Sequence, residues 1–256
     1  MEKKLKSVPE LYGLLGKNIE YSFSRGYFKE KFEKEGLKNA YYTNFDISDI
    51  SCFPEILKQY PNLRGLNVTI PYKESIIPYL DDLAPEAQHI KAVNTICFEK
   101  GKRIGYNTDA FGFNESLTPF LRPWHQKALV LGTGGASKAV AYILQKKGIT
   151  PVLLSRKKRE GGFIYQELTK EIIRSHLVIV NCTPLGTSPY IHAKPILPYQ
   201  HLTEKHLLYD LIYNPSKTSF LKEGEKAGAT IVNGLKMLEL QAEKAWELWQ
   251  KPSLKV

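Results

Sequence analysis

Apolar and polar positions alternate along the chain in blocks of strand and helix length. Residues 11–16 (LYGLLG), 39–47 (NAYYTNFDI) and 63–70 (LRGLNVTI) are short apolar runs, and the charged stretches around 25–35 and 51–59 read as helices between them. AVNTICF (92–98) and KRIGYN (102–107) flank Glu99-Lys100-Gly101, a hairpin signal, and residues 109–121 read as a connecting helix stopped by Pro119 and Pro123. The second half is more regular. KALVL (127–131) is a buried-type strand, PVLLS (151–155) follows a helical pattern that runs through Lys147, and LVIVN (177–181), LLYDLI (207–212) and TIV (230–232) continue the series. A βαβ series of this kind predicts a parallel, doubly wound sheet. In 235–250, Leu238, Ala242, Ala245 and Trp249 share one helical face. The pattern predicts two α/β domains, with the last helix able to pack back across both.

Composition narrows the picture. The 256 residues are 43% hydrophobic and 24% charged, which excludes global disorder and leaves one large domain or two moderate ones. Lys and Arg number 36 against 26 Asp and Glu, a net +10 that raises nucleic acid, a membrane or a small anion as partner. No zinc finger, RNP or basic-helix signature supports nucleic acid, and no apolar run approaches the ~18 residues of a membrane span. MEKKLKSVPE is basic like the start of a signal peptide, but Lys17 and Asn18 cut short the apolar stretch after it. Cys52, Cys97 and Cys182 are far apart and odd in number, so a reducing cytoplasm is expected, without disulfides or a thiolate metal site. The six histidines lack ligand spacing; each reads as a surface or loop residue, and no metal is expected.

Chemistry concentrates first after residue 131. The strand 127–131 runs into Gly132-Thr133-Gly134-Gly135-Ala136-Ser137, and a helical pattern follows. Gly132 permits a tight turn, Gly134 lets the backbone approach a pyrophosphate, and the helix amino end supplies N–H groups and a positive dipole; Ser137 replaces the third glycine of the pattern. Where a dinucleotide fold that prefers NAD carries an acid for the ribose hydroxyl, this chain reads Ser155-Arg156-Lys157-Lys158-Arg159. A missing acid and a basic cluster suit a 2′-phosphate, because arginine binds phosphate oxygens in a fork and lysine adds point charge. NADP is therefore the expected cofactor.

In the first half, polar residues gather at strand ends, where open α/β sheets place ligands: Ser22 and Ser24, Thr69 and Lys73, Asn94 and Thr95, and Asn107-Thr108-Asp109. With these, the stretches YSFS (21–24), NVTIPYK (67–73), VNT (93–95), GYNTD (105–109), GTGGAS (132–137), NCTPLG (181–186), YDLIYNP (209–215) and GLKMLELQ (234–241) resemble the shikimate dehydrogenase family, in order over nearly the whole chain. The resemblance implies an N-terminal substrate-binding domain (1–109), a Rossmann-type NADP-binding domain (110–233), and a C-terminal helix returning to the substrate domain (234–256). It implies NADPH-dependent, reversible reduction of 3-dehydroshikimate to shikimate, a step of aromatic amino acid biosynthesis.

Carried over residue by residue, the resemblance makes Lys73 the catalytic acid/base with Asp109 its close partner. Ser22 and Ser24 hold the substrate carboxylate; Thr69, Asn94, Asp109 and Gln241 bind ring hydroxyls, with Tyr213 also near the substrate. Gly132, Thr133, Gly134, Gly135 and Ala136 bind the pyrophosphate, Ser155, Arg156, Lys157 and Arg159 the adenosine phosphate, and Thr183, Leu211 and Gly234 line the nicotinamide end. One departure stands out: the family's H-S-x-S-P is here Tyr21-Ser22-Phe23-Ser24-Arg25, with both serines kept.

The residue types suit that chemistry. Hydride addition to a ketone builds alkoxide character, which needs a proton donor within hydrogen-bond reach, and a lysine side chain is protonated at neutral pH. Short Ser, Thr, Asn and Gln side chains suit a polyhydroxylated carboxylate. Plainer roles remain open for each residue alone: Lys73 opening a surface helix, Asp109 capping one, Ser22 and Ser24 in loop or capping positions, Gln241 at a core edge. A quinate/shikimate dehydrogenase tolerant of NAD, and a catalytically silent NADP-binding regulator on the same fold, are the alternatives. The expected partner is the small-molecule substrate, with no nucleic acid and no membrane, and the assembly is a monomer or homodimer.

Overall fold

The computed structural model describes residues 9–20 and 22–250. The chain divides into two units, one holding the described residues of Met1–Thr108 and Ala242–Val256, the other Asp109–Gln241. Tyr21 of the YSFS stretch and the first eight residues lie outside the described residues.

In the first unit the chain runs through β1 (Glu10–Gly16), α1 (Phe23–Lys34), β2 (Ala40–Asp46), α2 (Phe53–Gln59), β3 (Leu63–Val68), β4 (Asp82–Leu83), α3 (Pro85–Ile90), β5 (Thr95–Glu99) and β6 (Lys102–Tyr106). They form a mixed sheet in the order β2-β1-β3-β5-β6-β4. β1 is parallel to β2 and β3, while β5 runs antiparallel to β3 and β6. Side chains along β1 and β3 are buried almost without alternation, as expected of strands covered on both faces. The β5–β6 turn is tighter than the three residues marked in the sequence. Glu99 pairs with Lys102 in the ladder, and only Lys100 (φ 51°) and Gly101 (φ 78°) form the loop, both in the left-handed conformation that matches strand twist.

Two hydrophobic clusters build this unit. Leu15, Phe53, Leu66, Val68, Ile76 and Ile96 centre one; Tyr12, Phe28, Phe32, Ala242 and Trp246 centre the other. The second depends on the far end of the chain, because residues from Ala242 onward belong to this unit. Trp249 packs there too, its indole N–H donating to the Ile96 carbonyl at 3.1 Å. Burying side chains of this size is worth about 1.5–3 kcal/mol each, so the last helix is held by its aromatic residues.

The second unit follows from α4 (Thr108–Leu117): β7 (Lys127–Leu131), α5 (Gly135–Lys146), β8 (Thr150–Ser155), β9 (Phe163–Ile164), α6 (Lys170–Ser175), β10 (Val178–Asn181), β11 (Leu207–Asp210), α7 (Ser219–Lys226), β12 (Thr230–Val232) and α8 (Leu235–Trp249). Every strand pairing is parallel, in the order β12-β11-β10-β7-β8-β9. β7 therefore has β8 on one side and β10 on the other, and the winding reverses at β7. Ligands of such sheets sit at the carboxyl ends of the strands beside that reversal.

Of the histidines expected at the surface or in loops, three lie in loops but are not at the surface. His125, His176 and His206 are buried, at 6%, 6% and 1% exposure. His125 Nδ1 accepts from the Arg122 N–H (3.0 Å) and its Nε2 faces the Lys205 carbonyl (3.0 Å); His206 does the same with the Thr203 N–H (3.0 Å) and the Ile173 carbonyl (3.1 Å). A neutral imidazole offers one acceptor and one donor, so each ring takes a turn N–H on one side and shares a carbonyl of a neighbouring segment on the other.

Candidate active site

In the first unit, the predicted substrate residues lie along a polar seam. Ser22 is the N-cap of α1, its hydroxyl oxygen accepting from the Ser24 N–H at 3.2 Å, which leaves its hydrogen free to donate. The capping role and a ligand-binding role are thus compatible. Ser24 is 7% exposed and its hydroxyl meets that of Tyr42. Tyr42 donates onward to Asn67 Oδ1 at 2.8 Å, and Asn67 Nδ2 donates to Thr95 Oγ1 at 3.2 Å. Burial pushes the Tyr42 phenol well above its usual range, so it stays protonated as a donor.

Asn94 is 2% exposed and its side chain is engaged with Thr108: Nδ2 donates to Thr108 Oγ1 (2.9 Å), and Oδ1 accepts from the Thr108 N–H (2.6 Å). It therefore caps the start of α4, and these bonds fix the orientation of its amide. Thr69 follows β3, held by its N–H to the Leu15 carbonyl (2.9 Å). Lys73 stands in a run of turns rather than at a helix start, partly buried, with its backbone carbonyl accepting from the Val93 N–H at 2.7 Å. The structure thus joins NVTIPYK to VNT through the backbone. Arg25, where the family has proline, is exposed in the first turn of α1.

In the second unit, Asp109 lies in the first turn of α4, 7% exposed, and Gln241 is equally buried in α8, where Nε2 donates to the Leu238 carbonyl at 3.0 Å. Tyr213 is half-buried, and burial raises its phenol.

The glycine turn has the form a phosphate needs. Gly132 has φ 108°, a conformation costly for other residues, and a Cβ there would come 3.3 Å from the Cys182 carbonyl. Gly134 is the N-cap of α5, and a Cβ there would meet nothing within 4 Å, so the helix amino end opens on free space. Helix geometry leaves the first-turn N–H groups without intrahelical partners, pointing into that space. Ser137 is 1% exposed and donates to the Gly134 carbonyl at 2.7 Å, fastening the turn to the helix. At the end of β8, Ser155 is partly buried, and Arg156, Lys157, Lys158 and Arg159 after it are exposed. Lys158 is engaged by Glu167. The dinucleotide fits the turn and the basic loop on these observations.

Thr183, Leu211 and Gly234 come together through two strand ends. Asn181 and Asp210 are register partners at the ends of β10 and β11. Asn181 Oδ1 accepts both the N–H (3.0 Å) and the hydroxyl (2.7 Å) of Thr183. The Leu211 N–H donates to the Asn181 carbonyl at 3.0 Å, and Gly234 presses on Leu211 so closely that a Cβ would stand 2.0 Å from its carbonyl oxygen. Sequence reasoning passed over Tyr42, Asn67, Asn181, Asp210 and Thr218. The available signal was a polar residue inside or closing an otherwise apolar strand, as in GLNV, VIVN and LLYD.

Comparison with known proteins decides the family. Residues 14–96 match the shikimate dehydrogenase substrate binding domain. Over 272 residues the chain is 38% identical to the shikimate dehydrogenase (NADP(+)) of Carboxydothermus hydrogenoformans, covering 99% of this chain and 96% of the relative. The chain belongs to the shikimate dehydrogenase family. The solved shikimate 5-dehydrogenase of Thermus thermophilus, in complex with NADP(H) and shikimate, superimposes with a TM-score of 0.83 at 33% identity, covering 94% of this chain and 93% of that one. The quinate dehydrogenase of Corynebacterium glutamicum in complex with NAD gives 0.83 at 25% identity, with 94% of each chain covered. Ser22, Ser24, Thr69, Lys73 and Asn94 all fall within the segment that matches the shikimate dehydrogenase substrate domain.

Proposed function

We propose that this chain is an NADP-dependent shikimate dehydrogenase that reversibly reduces 3-dehydroshikimate to shikimate for aromatic amino acid synthesis. The observation that carries the reading, beside family membership, is the end of β8: no carboxylate stands there to take a ribose hydroxyl, and Arg156, Lys157 and Arg159 follow it exposed. That favours the 2′-phosphate of NADP, and with it the shikimate reading over an NAD-tolerant quinate enzyme.

Residues 1–109 supply the substrate-binding part, 110–233 the nucleotide-binding part and 234–256 the returning helix. Ser22 donates to the substrate carboxylate and Ser24 joins it by turning its hydroxyl proton from the Tyr42 oxygen to the carboxylate; Thr69, Asn94, Asp109, Gln241 and Tyr213 face its hydroxyls and ring. The 132–136 turn receives the pyrophosphate, Ser155 joins the basic loop at the adenosine end, and Thr183, Leu211 and Gly234 line the nicotinamide end. The bound nucleotide supplies the hydride. Lys73 gives its Nζ proton to the oxygen of the reduced ketone and takes it back in the oxidation, with Asp109 as the second group of that proton transfer.

Among the described residues no helix is long and apolar enough to cross a membrane, and the three cysteines form no disulfide; both suit a cytoplasmic enzyme, acting as a monomer or homodimer. Incubating the purified protein with shikimate or quinate, and NADP⁺ or NAD⁺, while following absorbance at 340 nm tests the reading. Turnover is expected with shikimate and NADP⁺ foremost. No turnover in any combination returns the chain to a silent NADP-binding regulator, and a preference for quinate with NAD⁺ would make it a quinate dehydrogenase.

A further inference from the structure

Asp210 is an acid with no exposed surface, and its hydrogen-bond partners are all neutral groups. Three donors converge on it: Asn181 Nδ2 at 3.0 Å and the Ile212 N–H at 3.1 Å on Oδ1, and Thr218 Oγ1 at 2.6 Å on Oδ2. Burial of an ion without a counter-charge is costly, and here it lifts the carboxyl to about 6. The carboxylate serves here as an acceptor. It accepts from three directions at once and need donate to none.

Each donor leads to a loop. Asn181, held by its Nδ2, turns Oδ1 to the N–H and hydroxyl of Thr183, and Thr183 Oγ1 in turn accepts from the Leu185 N–H at 3.3 Å. Ile212 fixes the turn just after Leu211, and its carbonyl accepts from the Gly234 N–H at 3.1 Å. Thr218 is the N-cap of α7, so the third donor ties down the helix that follows. The adenosine side, Gly134 and the loop 155–159, shares none of these bonds.

We infer that Asp210 is a positioning residue for the nicotinamide half of the dinucleotide, holding Thr183 through Asn181 and the Leu211–Gly234 contact through Ile212. The inference rests on the NADP reading above, which assigns those three residues to the nicotinamide end. It separates the two halves of the cofactor. NADPH spans both ends of the site, whereas adenosine 2′,5′-bisphosphate reaches only the adenosine end.

The test is direct binding by calorimetry of NADPH and of adenosine 2′,5′-bisphosphate to wild type, Asp210→Ala, Asp210→Asn and Asn181→Ala. The expected result is a tenfold or greater rise in the NADPH dissociation constant for Asp210→Ala, a change below twofold for the bisphosphate, and recovery of most NADPH affinity in Asp210→Asn, whose amide oxygen still accepts from Asn181. Parallel losses for the two ligands, or no loss for NADPH, overturn the inference. Should Asp210→Ala fail to fold, Asn181→Ala carries the same comparison, since it frees Thr183 while leaving the carboxylate two of its donors. If wild type binds neither ligand, it is the NADP reading that fails.

Discussion

Lys158 Nζ lies 2.6 and 2.7 Å from the two carboxylate oxygens of Glu167, and the same carboxylate accepts from the Ile164 N–H at 2.9 Å. The lysine holds Glu167 below the usual carboxylate range. Of the four cations from 156 to 159, one is therefore committed to bracing the loop, and the others are left for an anion. Arg156→Ala should weaken NADP binding by about 1.5–3 kcal/mol, the worth of a hydrogen bond to a charged group, and NAD binding hardly at all. Lys158→Ala should cost NADP less than Arg156→Ala does. Dissociation constants for both cofactors check this; equal losses for NADP and NAD in Arg156→Ala would refute the 2′-phosphate assignment.

Lys73 sits in a backbone-anchored turn rather than a helix, so replacing it should leave the local fold intact. Lys73→Ala removes a proton donor, an effect usually worth about 10²–10⁴-fold in rate. The expected outcome is a fall of that size in kcat, with the NADPH dissociation constant and the melting temperature close to wild type. A variant that turns over at near-normal rate takes Lys73 out of its role.

The longer strands of both sheets were legible because they are apolar runs of strand length: 127–131 and 230–232 fall where KALVL and TIV put them, whereas the two-residue edge strands Asp82–Leu83 and Phe163–Ile164 are too short to leave a pattern. Elements with mixed composition were not. α7 (SFLKEGEK) is broken by Gly224, yet that glycine is buried against Leu208 and Ile231, and a Cβ there would meet Leu208 at 2.7 Å. Packing keeps a residue that propensity argues against. The same holds in the site. Ser22, Thr69 and Gly134 occupy loops and caps that sequence reading can weigh, whereas Tyr42 and Asp210 matter through partners on other elements, Ser24 and Asn67 for one and Asn181 and Thr218 for the other. Nothing in a linear pattern pairs residue 24 with residue 42.

The buried histidines give the second unit an acid sensitivity. Burial lowers His125, His176 and His206 below their ordinary value. The unfolded chain then binds protons that the folded one refuses, so stability rises with pH wherever the two differ. Their contribution is full above the unfolded value of about 6.5 and is lost as pH falls below it. Protonating His125 or His206 would also turn an accepting Nδ1 into a donor facing a backbone N–H. Melting temperature should drop between pH 7 and pH 5, and His206→Asn, which keeps an acceptor but does not titrate there, should flatten that drop. An unchanged slope in the variant would remove His206 from the account.

Gly234 offers a steric test of the nicotinamide end. A Cβ at this position would lie 2.0 Å from the Leu211 carbonyl oxygen and 2.5 Å from its carbon, distances no side chain tolerates, and both atoms belong to backbone that cannot swing aside. The Leu211 segment is held by its N–H to Asn181, so relief must come from moving Gly234 or breaking its bond to Ile212. Overpacking of this kind costs about 1–3 kcal/mol, roughly 2–4 °C per kcal/mol for a chain of this size. Gly234→Ala should therefore melt a few degrees lower and bind NADPH more weakly, while binding adenosine 2′,5′-bisphosphate as wild type does. Normal NADPH affinity in this variant would mean that the Leu211–Gly234 contact lies outside the cofactor's reach.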